Sequence, residues 1–143
     1  MLDFNLVERK PTADEYIKLR ESVGWKILSK ECIQNGLENS LYTLCAESKG
    51  QLIGMVRVAG DGYLCFYIQD VIVDPAYQRK GIGKAMLHNV MGYLEHTAAS
   101  GAFIGLMSAK GKEAFYESFG FWKRPDENFG CGMMKYSKSI TIG

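Results

Sequence analysis

Gln78-Arg79-Lys80-Gly81-Ile82-Gly83-Lys84 is the stretch of this 143-residue chain whose residue types and spacing could do chemistry. Three cations and two glycines share one short segment. Upstream, Tyr67-Ile68-Gln69-Asp70-Val71-Ile72-Val73 is rich in β-branched residues, predicts a strand and closes at Asp74-Pro75. Downstream, Lys84 to Tyr93 reads as a helix. Glycines let the main chain come close to a ligand, and a helix start offers unpaired N–H groups and the positive end of a dipole. Arg79, Lys80 and Lys84 add mobile positive charge to the same turn. The expected ligand is an anion, and a phosphorylated small molecule fits best.

Spacing excludes two phosphate loops. A P-loop needs a glycine five residues before its Gly-Lys pair and a Ser or Thr after it; here Gln78 and Ala85 stand in those places. A dinucleotide fingerprint needs a third glycine three positions beyond Gly83, where Met86 stands, and belongs at the first strand–helix turn of its fold. A tight turn with solvated basic residues is the alternative for the segment taken alone.

The segment resembles the acyl-CoA-binding motif of the GNAT N-acetyltransferase superfamily, Gln/Arg-x-x-Gly-x-Gly/Ala after a strand. Gln78, Gly81 and Gly83 match each fixed position. A second likeness follows the apolar run Ala102-Phe103-Ile104-Gly105-Leu106-Met107. There, Phe115-Tyr116 and Gly120-Phe121 are similar to the superfamily's Phe-Tyr-x-x-x-Gly-Phe block. In element order the resemblance spans Phe4 to Tyr136, and its specific motifs occupy residues 67–84 and 114–121.

The resemblance implies an α/β fold whose central mixed, mostly antiparallel sheet is flanked by helices, with acetyl-CoA as co-substrate. The backbone of Val71, Ile72 and Val73 would bind the pantetheine arm as another strand, with the Val71 N–H facing the thioester carbonyl. Backbone groups of Arg79, Lys80, Gly81, Ile82, Gly83 and Lys84 would cradle the pyrophosphate. Tyr116 stands where the family's tyrosine protonates the leaving sulfur. A phenol of pKa about 10 and a thiol of about 8.5 are close enough for that transfer. Ordinary helix packing beside Phe115 and Phe119 is the alternative for Tyr116.

Acetyl transfer to an amine needs the amine uncharged, an aimed donor for the oxyanion and a proton for the thiolate. Some members carry a Glu four residues before the position of Val71; this chain has Tyr67 there. Asp70 is the neighbouring carboxylate, either as a base, as the holder of a backbone turn or as the acceptor of a neighbouring donor. Water-relayed deprotonation through Tyr67, Asp70 or Glu47 is a further route. Candidates for the acceptor pocket are Trp25, Tyr67, Cys131 and the segment Arg124 to Phe129, where Asp126 and Glu127 could attract a cationic amine. A nucleophilic Cys131 would need a nearby histidine. His88 sits beside Leu87 and Val90 in the predicted helix and reads as packed or solvent-facing.

These residues need elements to carry them. Phe4 to Arg9 predicts a strand, and Thr12-x-x-Glu15 is a capping box opening a helix through Tyr16, Leu19, Arg20 and Val23, stopped by Gly24. A second helix is expected over Ser29 to Leu37. Leu41 to Glu47 and Gln51 to Val58 flank Ser48-Lys49-Gly50 as a hairpin. Gly60-Asp61-Gly62 then turns into a strand over Tyr63 to Val73. A last strand is expected over Met133 to Tyr136.

With 143 residues, 47% hydrophobic and 23% charged, one domain (1–143) with a packed core is expected. The net charge of +1 argues against a nucleic-acid binder. The cysteines Cys32, Cys45, Cys65 and Cys131 form no C-x-x-C pair, and two histidines give no metal-ligand spacing, so free thiols and no metal are expected. No signal or membrane-length run is evident, and the expected setting is cytoplasmic.

The leading expectation is an N-acetyltransferase using direct attack in a ternary complex. A small-molecule amine is expected over a protein lysine, since no recognition domain is appended. A CoA-binding sensor without catalysis and an enzyme using a longer acyl-CoA are the alternatives. Dimers are common among relatives, which makes a homodimer an expectation as well.

Overall fold

The computed structural model describes residues 2–138. The chain divides into two compact units, Met1–Met107 and Ser108–Gly143. In the first, β1 (Asn5–Glu8), α1 (Ala13–Ser22), α2 (Lys30–Glu38), β2 (Tyr42–Ser48), β3 (Gln51–Gly60), β4 (Cys65–Val73), α3 (Ile82–Thr97) and β5 (Phe103–Leu106) follow in order. The five strands form one sheet in the order β1-β2-β3-β4-β5. The first three pairings are antiparallel and β4–β5 is parallel, giving the mixed, mostly antiparallel sheet expected.

Local signals account for most boundaries. The Thr12–Glu15 capping box is formed in both directions, and Gly24 follows the α1 terminus at φ 73°. Ser29 caps α2 by accepting from the Cys32 N–H. Lys49 and Gly50 both have positive φ, 51° and 76°, so a two-residue turn joins β2 to β3 with the twist that hairpins favour. Strand β4 begins at Cys65, later than the expected Tyr63. The cause is Asp61, whose Oδ1 accepts from the N–H groups of Tyr63, Leu64 and Cys65 at 2.8, 2.8 and 3.1 Å and keeps them in a turn.

Helices cover both faces of the sheet. Ala13, Tyr16 and Leu19 of α1 and Ile33 and Leu37 of α2 form a buried cluster with Met55 of β3 and Ile72 of β4. A Cβ on the neighbouring Gly54 would lie 3.4 Å from both Ile82 and Met86 of α3. Successive strand residues point to opposite faces, so α3 lies on the face away from α1 and α2. Ile82, Met86, Leu87, Val90 and Leu94 form its buried stripe, each worth roughly 1.5–3 kcal/mol of apolar burial. That burial fixes the axis of α3 and, with it, the position of the helix start.

The second unit holds α4 (Glu113–Glu117). Phe115, Tyr116, Phe119 and Phe121 form an edge-to-face set, with centroid distances of 5.1, 5.5 and 6.3 Å between successive contacts. The strand expected over Met133 to Tyr136 is not formed. Those residues make no ladder, and Met133 is 89% exposed.

Candidate functional site

Two breaks in regularity meet in β4. Its pairing with β5 ends at Ile68↔Leu106, while β4 itself runs on to Val73. Among the described residues, no strand pairs with the outer edge of β4 beyond Ile68. Close to that point the β3 register passes from Arg57↔Gln69 to Met55↔Ile72, so Asp70 and Val71 together oppose Val56. This is a β-bulge, and Asp70 adopts φ 56°, the left-handed region that glycine fills most readily. The bulge re-aims the Val71 main chain where the strand edge lies open.

The strand leads into the basic turn. Asp74 accepts from the Ala76 N–H and starts one 3-10 turn over Pro75–Tyr77. Gln78 Nε2 donates to the Val73 carbonyl at 2.9 Å, tying the loop back to the end of β4. Arg79 and Gly81 take positive φ, 63° and 85°, and Gly81 is the N-cap of α3 with no side-chain cap. The first N–H bonded back within the helix is that of Ala85, to the Gly81 carbonyl at 3.0 Å. The Ile82, Gly83 and Lys84 N–H groups therefore lack intrahelical partners at the positive end of a 16-residue helix. Arg79, Lys80 and Lys84 are exposed on the same turn. The geometry can hold an anion of phosphate type.

Asp70, expected as a catalytic carboxylate, is not an open base. Its side chain is 1% exposed. Oδ2 accepts from the Tyr16 hydroxyl at 2.8 Å and Arg57 Nε at 2.6 Å, and Oδ1 from Arg20 Nη1 at 2.5 Å. Burial first, then the Asp70 charge, pushes the Tyr16 phenol up to about 12. Arg57 also donates to Ser40 Oγ at 3.3 Å. These three partners were absent from the sequence-based site. The signal available was a charged residue in each of two apolar strands, at Arg57 and Asp70, and Arg20 on the buried periodicity of α1.

Glu47 is likewise engaged, accepting from Arg9 Nε at 2.7 Å. The same guanidinium bonds Glu15, and that bond holds the Glu15 carboxyl below its usual range. Tyr67 is half-buried in β4, its phenol raised by burial while a bond from the Met107 backbone works the other way. Trp25 follows α1 and is 37% exposed, with Arg20 5.3 Å from its ring centroid. In the second unit, Tyr116 is buried and its phenol is raised by desolvation, so it is protonated at neutral pH. Cys131, in the same unit, is exposed and free.

Among the described residues, no group of three or more His, Cys, Asp or Glu could hold a metal ion. Among them too, no helix is long and apolar enough to cross a membrane.

Comparison with known proteins follows from this geometry. The model of the acetyltransferase (GNAT) domain family matches residues 10–138. An uncharacterised N-acetyltransferase, ycf52, of Pyropia yezoensis is 28% identical over 116 residues, covering 78% of this chain and 66% of that protein. Serotonin N-acetyltransferase 2, chloroplastic, of Oryza sativa is 28% identical over 122 residues, covering 82% and 60%. The chain thus spans just under two thirds of the length of these curated relatives. A probable acetyltransferase of Staphylococcus aureus has a solved structure matching with a TM-score of 0.84 at 29% identity, over 94% of this chain and 100% of that one. AAC(6′)-Iy, solved with the bisubstrate analogue CoA-S-monomethyl-acetylneamine, matches with a TM-score of 0.67 at 13% identity, over 96% and 99%, and so shares the fold. A family match over most of the chain, with the sheet and helix order it requires, places this protein in the GNAT acetyltransferase family.

Proposed function

We propose that this chain transfers the acetyl group of acetyl-CoA to the primary amine of a small molecule, by direct attack in a ternary complex. One observation carries the reading: a length of β4 edge that no strand among the described residues pairs runs from the bulge into a helix start without a side-chain cap, flanked by three cations. CoA matches that order, with an amide-bearing arm that can pair like a strand and a diphosphate at its far end. The CoA-based analogue bound to AAC(6′)-Iy supports the same donor.

In this reading the backbone of Val71, Ile72 and Val73 holds the pantetheine arm, and the Val71 N–H donates to the thioester oxygen. The turn from Gln78 through Arg79, Lys80, Gly81, Ile82 and Gly83 to Lys84 holds the diphosphate. The neutral amine attacks the carbonyl carbon, a C–N bond forms, the C–S bond breaks, and the proton shed by the amine nitrogen leaves through water, which also returns a proton to Tyr116 after turnover. The thiolate takes its proton from Tyr116, whose raised phenol pKa keeps that proton available at neutral pH. Removing an oxyanion donor costs about 100- to 1,000-fold in turnover in related chemistry, which sets the weight placed on Val71.

Trp25, Tyr67 and Cys131 are proposed for the acceptor side, and the domain 1–143 for the whole activity. Cytoplasmic placement is also part of the proposal, although the rice relative is chloroplastic by name. Thiol release measured over a panel of polyamines, amino sugars, amino acids and aminoglycosides tests the reading. Turnover with one class supports it. Binding of acetyl-CoA with no thiol release over the panel would favour a sensor, and preference for longer acyl-CoA would reassign the donor.

A further inference from the structure

We propose that Asp70 is a positioning residue for acyl transfer: held by Tyr16, Arg20 and Arg57, it maintains the left-handed kink that aims the Val71 amide. The inference rests on the acetyl-transfer reading of the same site. A non-glycine residue at φ 56° inside a strand persists only where its surroundings over-determine it. The surroundings here are specific. Tyr16 and Arg20 come from α1 and Arg57 from β3, and all three bonds are 2.5–2.8 Å long. The carboxylate is therefore anchored from a helix and from the neighbouring strand, at the residue where the β3–β4 register slips.

Location separates this role from plain stabilisation. An apolar residue could fill a buried site beside Tyr16, a member of the apolar cluster, without the desolvation cost of an ion cluster. The charged cluster sits two residues beyond Ile68, the last β4 residue paired to β5, so the kink falls where the strand edge opens. Arg20 extends the anchor further. Its Nε donates to the Lys26 carbonyl at 2.9 Å and its guanidinium lies over the Trp25 ring. One side chain thereby ties the loop after α1, a candidate acceptor element, to the residue preceding the reacting amide. General-base catalysis by Asp70 fits this geometry poorly, because its oxygens already accept three donors.

The test uses the full chain with Asp70→Asn, Asp70→Gly and Arg57→Lys. Asn and Gly both tolerate the left-handed region, but Asn keeps a neutral acceptor and Gly keeps none. For Asp70→Gly, kcat is expected to fall about 100-fold, the effect of roughly 1 Å of misplacement, with the acetyl-CoA KM within about threefold. Asp70→Asn and Arg57→Lys should fall between that variant and the parent. The pH–rate profile should keep its shape, and the residual dipolar coupling of the Val71 N–H, an NMR measure of its direction, should depart from the parent value in the same order. Loss of the acidic limb in Asp70→Asn would make Asp70 the base and overturn the proposal. Parental kcat or an unchanged Val71 dipolar coupling in folded Asp70→Gly would overturn it too. If Asp70→Gly does not fold, Arg57→Lys decides by the same two readouts. The dipolar coupling needs no substrate, so a parent protein inactive on every amine would sink the catalytic reading while leaving the kink's anchoring separately measurable.

Discussion

Gly81 and Gly92 lie on the same helix, and a Cβ added at either meets no heavy atom within 4 Å. They differ in backbone conformation: Gly81 caps α3 at φ 85°, whereas Gly92 lies within the helix. Substitution by alanine therefore isolates conformational cost. At Gly81, alanine in the left-handed region costs about 1–2 kcal/mol. The stiffer unfolded chain returns about 0.4–1 kcal/mol, so the net loss is about 1 kcal/mol. At Gly92, alanine should gain about 1 kcal/mol from helix propensity. At about 3–4 °C per kcal/mol for a chain of this size, the two melting temperatures should separate by about 6–8 °C, on opposite sides of the parent. Acetyl-CoA affinity distinguishes the sites again. If the strained cap turns one N–H away from the diphosphate, a charge-assisted hydrogen bond of about 1.5–3 kcal/mol is lost, weakening binding about 10- to 150-fold. Gly92 lies about 16 Å further along the helix and should leave affinity unchanged. Thermal melts and calorimetric titration measure both quantities. A Gly81→Ala protein as stable as Gly92→Ala, with parental affinity, would refute the reasoning about the helix start.

Three other perturbations follow from named contacts. Tyr116→Phe should leave acetyl-CoA affinity intact and lower turnover by about 100-fold, the lower end of the range for a lost general acid, or more; parental turnover would remove Tyr116 from the proposed role. The Tyr16 phenol is raised from its ordinary 10 to about 12 in the folded protein, so the folded state holds the proton more tightly than the unfolded state. Its contribution is complete below pH 10 and should be lost as pH rises through 12; Tyr16→Phe should flatten that decline in denaturant titrations. Thr43 Oγ1 is buried without a hydrogen-bond partner among the described residues, so the near-isosteric Thr43→Val should stabilise by about 1 kcal/mol, and a lower melting temperature would show an unrecognised partner.

Short-range signals were legible in the sequence. Thr12, Glu15 and Ser29 act within three residues of themselves, and the Lys49–Gly50 turn within two, so their elements formed as expected. Helix α3 starts at Ile82, two residues before the sequence signal at Lys84, because its cap is a left-handed glycine without a capping side chain. Asp61 delayed β4 by a local bond whose reach is hard to foresee from residue type. The Asp70 anchor was the larger omission. Its partners lie 54, 50 and 13 residues away, and no local pattern pairs them. Met133 to Tyr136 was expected as a strand from its place after the Gly130-Cys131-Gly132 turn, a local signal that does not by itself specify extended pairing. The glycine-bearing turn was legible because its chemistry is contiguous.

Calorimetric titration of the folded full chain with acetyl-CoA and, in parallel, with acetyl-pantetheine addresses the helix-start claim most directly. Saturable one-to-one binding of acetyl-CoA is expected, at least about 10-fold tighter than acetyl-pantetheine, because only the former carries a diphosphate to accept from the Ile82, Gly83 and Lys84 amides. Equal affinity for the two, or no binding of either, would contradict it.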